Sequence, residues 1–311
     1  MEIFNSDNNQ PVKICAPMVR YSKLAFRNLV RLYGCDVAFS PMIMADSFYM
    51  SQKARDNEFT TNKEDSPLIV QFAANNAHYF SSSAELVSQY CQGVDLNCGC
   101  PQRWAWKEGI GACLINNPQF VCECVKQTRA KISDPNFSTS VKIRIHNDLS
   151  RTVDLCRQME KAGASFITVH GRTKDQRGEP VNLEAIKTIK QSVQIPVVAN
   201  GDVKTLEDVK TTVCVTGCDG VMAARGILEN PAMYDTAGYL ETPDKCIADW
   251  VRLALGTGTL FTCFHHHLIY MCEKRSSRAD RKVFNALEST AAVIDYLTNV
   301  WNIDLSLSSL S

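Results

Sequence analysis

The feature that most restricts this chain is an alternation. Short apolar runs ending in small or polar residues are each followed by a stretch with helical spacing, and the unit repeats along the first 240 residues. Eight strands are read, at 12–18 (VKICAPM), 35–41, 67–73, 93–99 (GVDLNCG), 140–145, 165–171, 195–201 and 219–225. Helical spacing falls at 22–33, 77–90, 118–132, 151–163, 182–192 and 206–217, with a less regular link at 42–66. Alternation alone would also fit a doubly wound sheet. The count of eight, and polar residues at the ends of many strands rather than at one crevice, favour a (β/α)8 TIM barrel, a fold of about 250 residues. After about 240 the alternation stops, and 244–255, 261–274 and 282–297 read as helices. The expected organisation is a barrel domain over 1–240 and a small helical domain over 241–311, with LSLSSLS at 305–311 as a frayed tail.

Side chains alternate faces along a strand, which makes a sharp test. Val94 and Leu96 oppose Asp95 and Asn97; Val141, Ile143 and Ile145 oppose Lys142, Arg144 and His146; Ile167 and Val169 oppose Thr168 and His170. Gln71 opposes Val70 and Phe72, and Asn200 opposes Ala199. With helices covering the outside, the polar face must be the barrel interior or its mouth, where barrel enzymes keep their active sites. Gln71, Asn97, Lys142, His170 and Asn200 together call for a polar, partly anionic ligand. NGD at 200–202 and AARG at 223–226 end strands seven and eight, where barrels often hold a phosphate on loop amides and a short helix. Arg225 is a possible counter-charge. A lysine facing a ring and a phosphate cradle opposite it point to flavin mononucleotide.

Thirty-three Lys and Arg balance 33 Asp and Glu, so there is no global positive field and any RNA affinity must come from a local patch. The 14 cysteines are spread through apolar segments, the pattern of reduced thiols, and Cys122, Cys124 and Cys156 read as core. The opening MEIFNSDNNQ has no leader-like pattern, and no run of about 18 apolar residues occurs. A soluble cytoplasmic protein, without membrane attachment, is expected.

APM at 16–18, QFAA at 71–74, DLNCGCP at 95–101, KIR at 142–144, HGRT at 170–173, NGD and AARG occur in an order that resembles the tRNA-dihydrouridine synthase family. HHHLIYMCEK and RKVFNALEST resemble that family's helical RNA-binding domain, so the likeness covers roughly 13–300. CGCPQRWA and ICAPMVRYS most resemble its eukaryotic dihydrouridine synthase 4-like branch. The resemblance implies that FMN binds in the mouth, NADPH or NADH recharges it, and a uridine of the tRNA D-loop, at position 20a or 20b, becomes 5,6-dihydrouridine. It further implies that Pro17 and Met18 approach the flavin ring, that Gln71, Asn97 and Lys142 contact its polar edge, and that His170 lies beside it. The phosphate would rest on Asn200, Gly201, Asp202, Ala224 and Arg225, and Cys100 matches the catalytic cysteine.

The chemistry agrees. Hydride arriving at C6 of a uracil leaves an enolate that needs a proton at C5, and a thiol, ordinarily protonated at neutral pH, can supply it. Pro101 pushes Cys100 into extended backbone at the start of a loop, QRWAWKEGIGACL, that is expected to move when RNA binds. Cys98 and Cys100 would share a face, but CxC with no second pair is poor for zinc, and three consecutive histidines at 265–267 cannot converge on one ion; no metal is expected. A base reaching the mouth must leave its stack while basic residues hold the backbone. Arg103 and Lys107 on the loop, Arg144, Arg172 and Arg177 above the strands, and Lys274, Arg275, Arg278, Arg281 and Lys282 in the tail are the candidates. Trp104 and Trp106 would stack on a base or pack the lid. Two alternatives stay open: a dihydroorotate-dehydrogenase-like enzyme acting on a free pyrimidine, and a catalytically silent RNA-binding protein. The nicotinamide preference and the oligomeric state are not legible.

Overall fold

A computed structural model describes residues 2–4 and 10–305. Eight parallel strands close on themselves: β1 (Val12–Cys15), β2 (Val37–Phe39), β4 (Leu68–Ala73), β5 (Gly93–Cys98), β6 (Ser138–Arg144), β7 (Phe166–His170), β8 (Val197–Asn200) and β9 (Gly220–Ala223). Each pairs with the next and β9 returns to β1, while the two-residue β3 (Ile43–Met44) extends the rim beside β4. This is the TIM barrel expected from the alternation. The outward set, including Val70, Phe72, Leu96, Val141, Ile143, Ile167 and Val169, is fully buried beneath helices. Phe4 meets Phe166 at 5.1 Å between ring centroids, and Phe39 meets Phe166 at 6.5 Å, an aromatic plug within the barrel.

The outer helices are α1 (Leu24–Leu32), α2 (Ala45–Met50), α3 (Gln52–Glu58), α4 (Ala77–Val87), α5 (Arg103–Lys107), α6 (Pro118–Lys131), α7 (Leu149–Lys161), α8 (Leu183–Lys190), α9 (Leu206–Thr216) and α10 (Arg225–Glu229). Side-chain caps start most of the long ones: Asn76, Asn117, Asp148, Asn182 and, in a capping box with Asp208, Thr205. The irregular link holds α2 and α3, and its end is tied down by Asp65, which takes Arg27 through both oxygens at 2.6–3.1 Å with both side chains buried.

Beyond the barrel lie α11 (Asp244–Gly256), α12 (Phe261–Met271), α13 (Arg278–Asn285) and α14 (Thr290–Asn299). The last helix read from the sequence, 282–297, is in fact two. Ser277 caps α13 in a capping box with Asp280, and Ser289 caps α14 on the Ala292 amide, so the chain turns at 286–289. The helical segment docks on α1 through aromatics: Phe26 stacks on His267 at 4.4 Å and meets Trp250 edge-on, and the Tyr33 hydroxyl donates to Asp249 at 2.8 Å. The tail at 305–311, except Leu305, lies outside the described residues.

Candidate active site

Registered neighbours in a parallel sheet point the same way, so the ladder places the polar face in layers. Gln71 is level with Asp95 and Asp95 with Ser140; Asn97 is level with Lys142 and Lys142 with Thr168; Arg144 is level with His170 and His170 with Asn200. Arg144, His170 and Asn200 are the last residues of their strands and Asn97 the last but one, at the end where the barrel opens, while Asp95, Ser140 and Thr168 lie deeper. Asp95 accepts from Gln71 Nε2 at 2.8 Å and from Ser140 Oγ at 2.7 Å. Asn97 Nδ2 donates to Gln71 Oε1 at 2.8 Å, and its Oδ1 accepts from the Gly99 and Cys100 amides. Across the mouth, Lys142 Nζ donates to Asn200 Oδ1 at 2.9 Å, and Asn200 Nδ2 donates to the Met222 carbonyl at 2.8 Å.

Burial sets the charge states. It raises Asp95 to about 6 against the pull of Ser140, Gln71 and Lys142. Lys142 falls to about 8, lowered by burial, pulled back by Asp95 and lowered again by Arg144. His170 falls to about 2, by burial and then by the positive charges of Lys142, Arg144, Arg172 and Arg225, so its ring is neutral. Arg172 lies 3.3 Å from His170 Nε2 and can only donate, which leaves the ring proton on Nδ1.

The expected phosphate cradle is a cleft of about 70 Å3 lined by His170, Asn200, Gly201, Asp202, Ala224 and Arg225 among others. Two glycines shape it. Gly201 has φ of 132°, and a Cβ there would lie 2.7 Å from Val181 Cγ2; one on Gly226 would lie 2.2 Å from the Val203 carbonyl oxygen. Only a bare backbone lets these two turns pack this closely against Val181 and Val203. Pro17 and Met18 follow β1 at the rim, Met18 being buried.

Cys100 stands just past β5 and is partly exposed; like Met42 and Met44, it packs against the small core of Ala73, Ala105 and Ile110. Its amide is held by Asn97 at 3.0 Å and its carbonyl by the Ala112 amide at 2.9 Å. β5 ends at Cys98, which points outward into the fully buried layer beside Cys124, so the two thiols do not share a face as the sequence suggested. The loop beyond is structured as α5 and a 3-10 turn at Gly111–Asn116. Trp104 is 48 % exposed and lines a cavity of about 520 Å3 with Val19, Met42, Met44 and Phe48, while Lys174 Nζ sits 4.4 Å over the Trp106 ring.

Two RNA candidates are placed differently from expectation. Arg144 and Arg172 are 9 % and 3 % exposed. Arg144 donates to the carbonyls of Gly99, Thr173 and Gln176, and Arg172 to the Glu179 carbonyl and to Asp202. Both bind the loops above the strands to one another instead of facing outward. In the tail, Lys274 donates to the Leu240 carbonyl, Arg275 pairs with Asp244 at 2.5 Å and Arg281 with Glu273 at 3.8 Å. Arg278 and Lys282 are exposed, as are Arg103, Lys107 and Arg177. His265 and His267 are core residues bonded to the Phe284 and Tyr21 carbonyls, and among the described residues no three His, Cys, Asp or Glu converge as metal ligands. Asp95 and Ser140 were missed as site residues. Alternation put Asp95 on the polar face, but nothing local marked its partners.

The family model described as dihydrouridine synthase matches residues 14–297. A tRNA-dihydrouridine(20a/20b) synthase-like protein, NAD(P)+-type, of Mus musculus is 59 % identical over 308 residues, covering 99 % of this chain and 94 % of its own. That of Homo sapiens is 58 % identical over 303 residues, covering 97 % and 94 %. Among solved structures, the old yellow enzyme homologue from Zymomonas mobilis aligns with a TM-score of 0.51 at 10 % identity, over 71 % of this chain and 86 % of that one, a likeness of fold alone. The chain belongs to the dihydrouridine synthase family.

Proposed function

We propose that the protein reduces uridine at position 20a or 20b of the tRNA D-loop to 5,6-dihydrouridine, with FMN in the barrel mouth, NADPH or NADH as electron source and Cys100 as proton donor. The observation that carries this reading is the placement of Cys100: a partly exposed thiol on a backbone clamped by Asn97 and Ala112, at the edge of a mouth lined by Gln71, Asn97, Lys142, His170 and Asn200. A bound flavin supplies hydride to C6 of the uracil. The Cys100 Sγ proton goes to C5, and solvent restores it. Lys142 places a positive charge beside the ring's polar edge, where negative charge develops on reduction. The Gly201 and Gly226 turns and the Ala224 and Arg225 amides fit a terminal phosphate. Overall, NAD(P)H, a proton and uridine give NAD(P)+ and dihydrouridine.

The helical segment over 241–311 and the lid carry the RNA, with Arg103, Arg278 and Lys282 as the exposed contacts. The free thiols of all 14 cysteines fit a cytoplasmic setting. The test is Cys100→Ala: the variant keeps its flavin and oxidises NADPH but no longer reduces tRNA. Loss of flavin, or retained tRNA reduction, overturns the assignment. Dihydrouridine mapping in tRNA from cells lacking the protein tests the position, since unchanged 20a and 20b would exclude it.

A further inference from the structure

A chain of side chains runs from the interior of the barrel to the loop that carries Cys100. It starts at Asp95, which is fully buried and accepts from Ser140 on one oxygen and from Gln71 Nε2 on the other. Gln71 Oε1 accepts from Asn97 Nδ2, and Asn97 Oδ1 accepts from the amides of Gly99 at 3.2 Å and Cys100 at 3.0 Å. Both ends of this chain are fixed in polarity. An ionised carboxylate can only accept and a backbone N–H can only donate, so each carboxamide between them has one correct orientation. Reversing both would set the Asn97 NH2 against two backbone donors and leave them without partners in a half-buried site, which is unfavourable.

The far side of Cys100 is equally constrained. Its carbonyl takes the Ala112 amide, and Gly111, at φ of 73°, lies so close that a Cβ there would be 2.7 Å from the Cys100 oxygen. The thiol's position is therefore set by two grips on its backbone, and the inner grip is oriented by Asp95 through Gln71 and Asn97. We propose that Asp95 is a positioning residue for the protonating step: its carboxylate fixes the direction of the Gln71–Asn97 chain and thereby holds Cys100 where it delivers its proton. This rests on Cys100 being the proton donor.

Asp95→Asn keeps the shape and removes the fixed polarity, because the new amide can present either its oxygen or its NH2 to Gln71. The exchanged pair Asp95→Asn/Gln71→Glu moves the carboxylate one link along: it accepts from the amide at position 95 and from Asn97, and the Asn97 oxygen again faces Cys100. The two half-reactions are followed separately on the flavin-loaded protein by flavin absorbance. Asp95→Asn slows oxidation of the reduced enzyme by tRNA about 10- to 100-fold, the scale of a group displaced by about 1 Å, while reduction by NADPH persists. The exchanged pair recovers most of that loss. A second readout needs no flavin: the rate at which iodoacetamide alkylates Cys100, read by mass spectrometry on its peptide, changes in Asp95→Asn and returns in the exchanged pair.

The proposal is overturned if Asp95→Asn reduces tRNA at the parent rate, if both half-reactions fall in proportion, or if alkylation of Cys100 is unchanged in Asp95→Asn. Should Asp95→Asn fail to fold, Asp95→Thr takes its place, since a hydroxyl likewise can donate or accept and fixes no direction in the chain. A selective loss of the tRNA step then supports the proposal, and an unchanged rate overturns it. Cys100→Ala runs alongside: if it still reduces tRNA, the proton-donor reading has failed by itself, whatever the Asp95 variants do.

Discussion

Replacing Lys142 with methionine should stabilise the fold at neutral pH while disabling the enzyme. The ammonium sits inside the barrel mouth, where among the described residues it donates to Asn200 Oδ1 at 2.9 Å, and burial is the main reason its pKa falls from 10.5 to about 8. At about 1.4 kcal/mol per pH unit, that fall disfavours the charged form in the folded state by about 3 kcal/mol. Below about pH 8 the folded protein carries the whole penalty. Between about 8 and 10.5 the unfolded chain binds the proton that the folded chain has released, so stability rises with pH; above that window the penalty is gone. Lys142→Met removes it at the expense of the Asn200 hydrogen bond, about 1 kcal/mol, leaving a net gain of about 2 kcal/mol at pH 7, the Asp95 attraction being already contained in the shift. At about 2–4 °C per kcal/mol the melting temperature of the flavin-free protein should rise by roughly 4–8 °C at pH 7. The gain should vanish at pH 10. Turnover should fall about 100- to 1,000-fold, as when one preorganised charge-stabilising group is lost. Scanning fluorimetry at the two pH values reads the first effect. A variant less stable than the parent at pH 7, or a gain that is the same at both pH values, would refute the reasoning.

Two further substitutions test the frame around the site. Gly226→Ala would put a Cβ 2.2 Å from the Val203 carbonyl oxygen, so α10 must move off the cradle; flavin affinity, read by fluorescence titration, should drop at least about tenfold, with about 1–3 kcal/mol of stability lost to overpacking. Arg27→Met leaves Asp65 buried with the Thr61 hydroxyl at 3.1 Å and a single Arg31 contact at 3.3 Å in place of the Arg27 fork, and should cost about 3 kcal/mol, seen as a lower denaturant midpoint with an unchanged slope.

The barrel was legible because its two periodicities are both physical. A strand covered by helices on one side and facing a polar mouth on the other must alternate, and it does so at Gln71, Asp95, Asn97, Lys142, His170 and Asn200, each of which lines the interior. What the sequence hid were partners that meet only after the barrel closes. Arg144 and Arg172 fall on the polar face as expected, but the carbonyls of Gly99, Thr173 and Glu179 that bury them carry no side-chain signal at all. Asp95 meets Gln71 and Ser140 from strands 24 and 45 residues away. The break at 286–289 was closer to readable: Ser289 before Thr290–Ala292 is a helix start, and apolar spacing continuing through it masked the cap.

The distribution of charge in the mouth assigns the chemistry more narrowly than the motif does. Lys142, Arg144, Arg172 and Arg225 stand against the two carboxylates of Asp95 and Asp202, and Asp202 is taken by Arg172 and Arg225. The surplus is positive, and it is this field, after burial, that drives His170 to about 2. A site with a positive surplus and an anion-sized cleft is built to bind negative charge, and the same field removes His170 as an acid, since a neutral imidazole with so low a pKa has no second proton to give near pH 7. Lys142 retains a proton there, but its ammonium is directed at Asn200 on β8. Cys100 stands past the end of β5, three strands away in the ring. On the proposed function the cations bind and orient the anionic partner, and the proton is left to the Cys100 thiol, whose backbone the Asp95 chain holds.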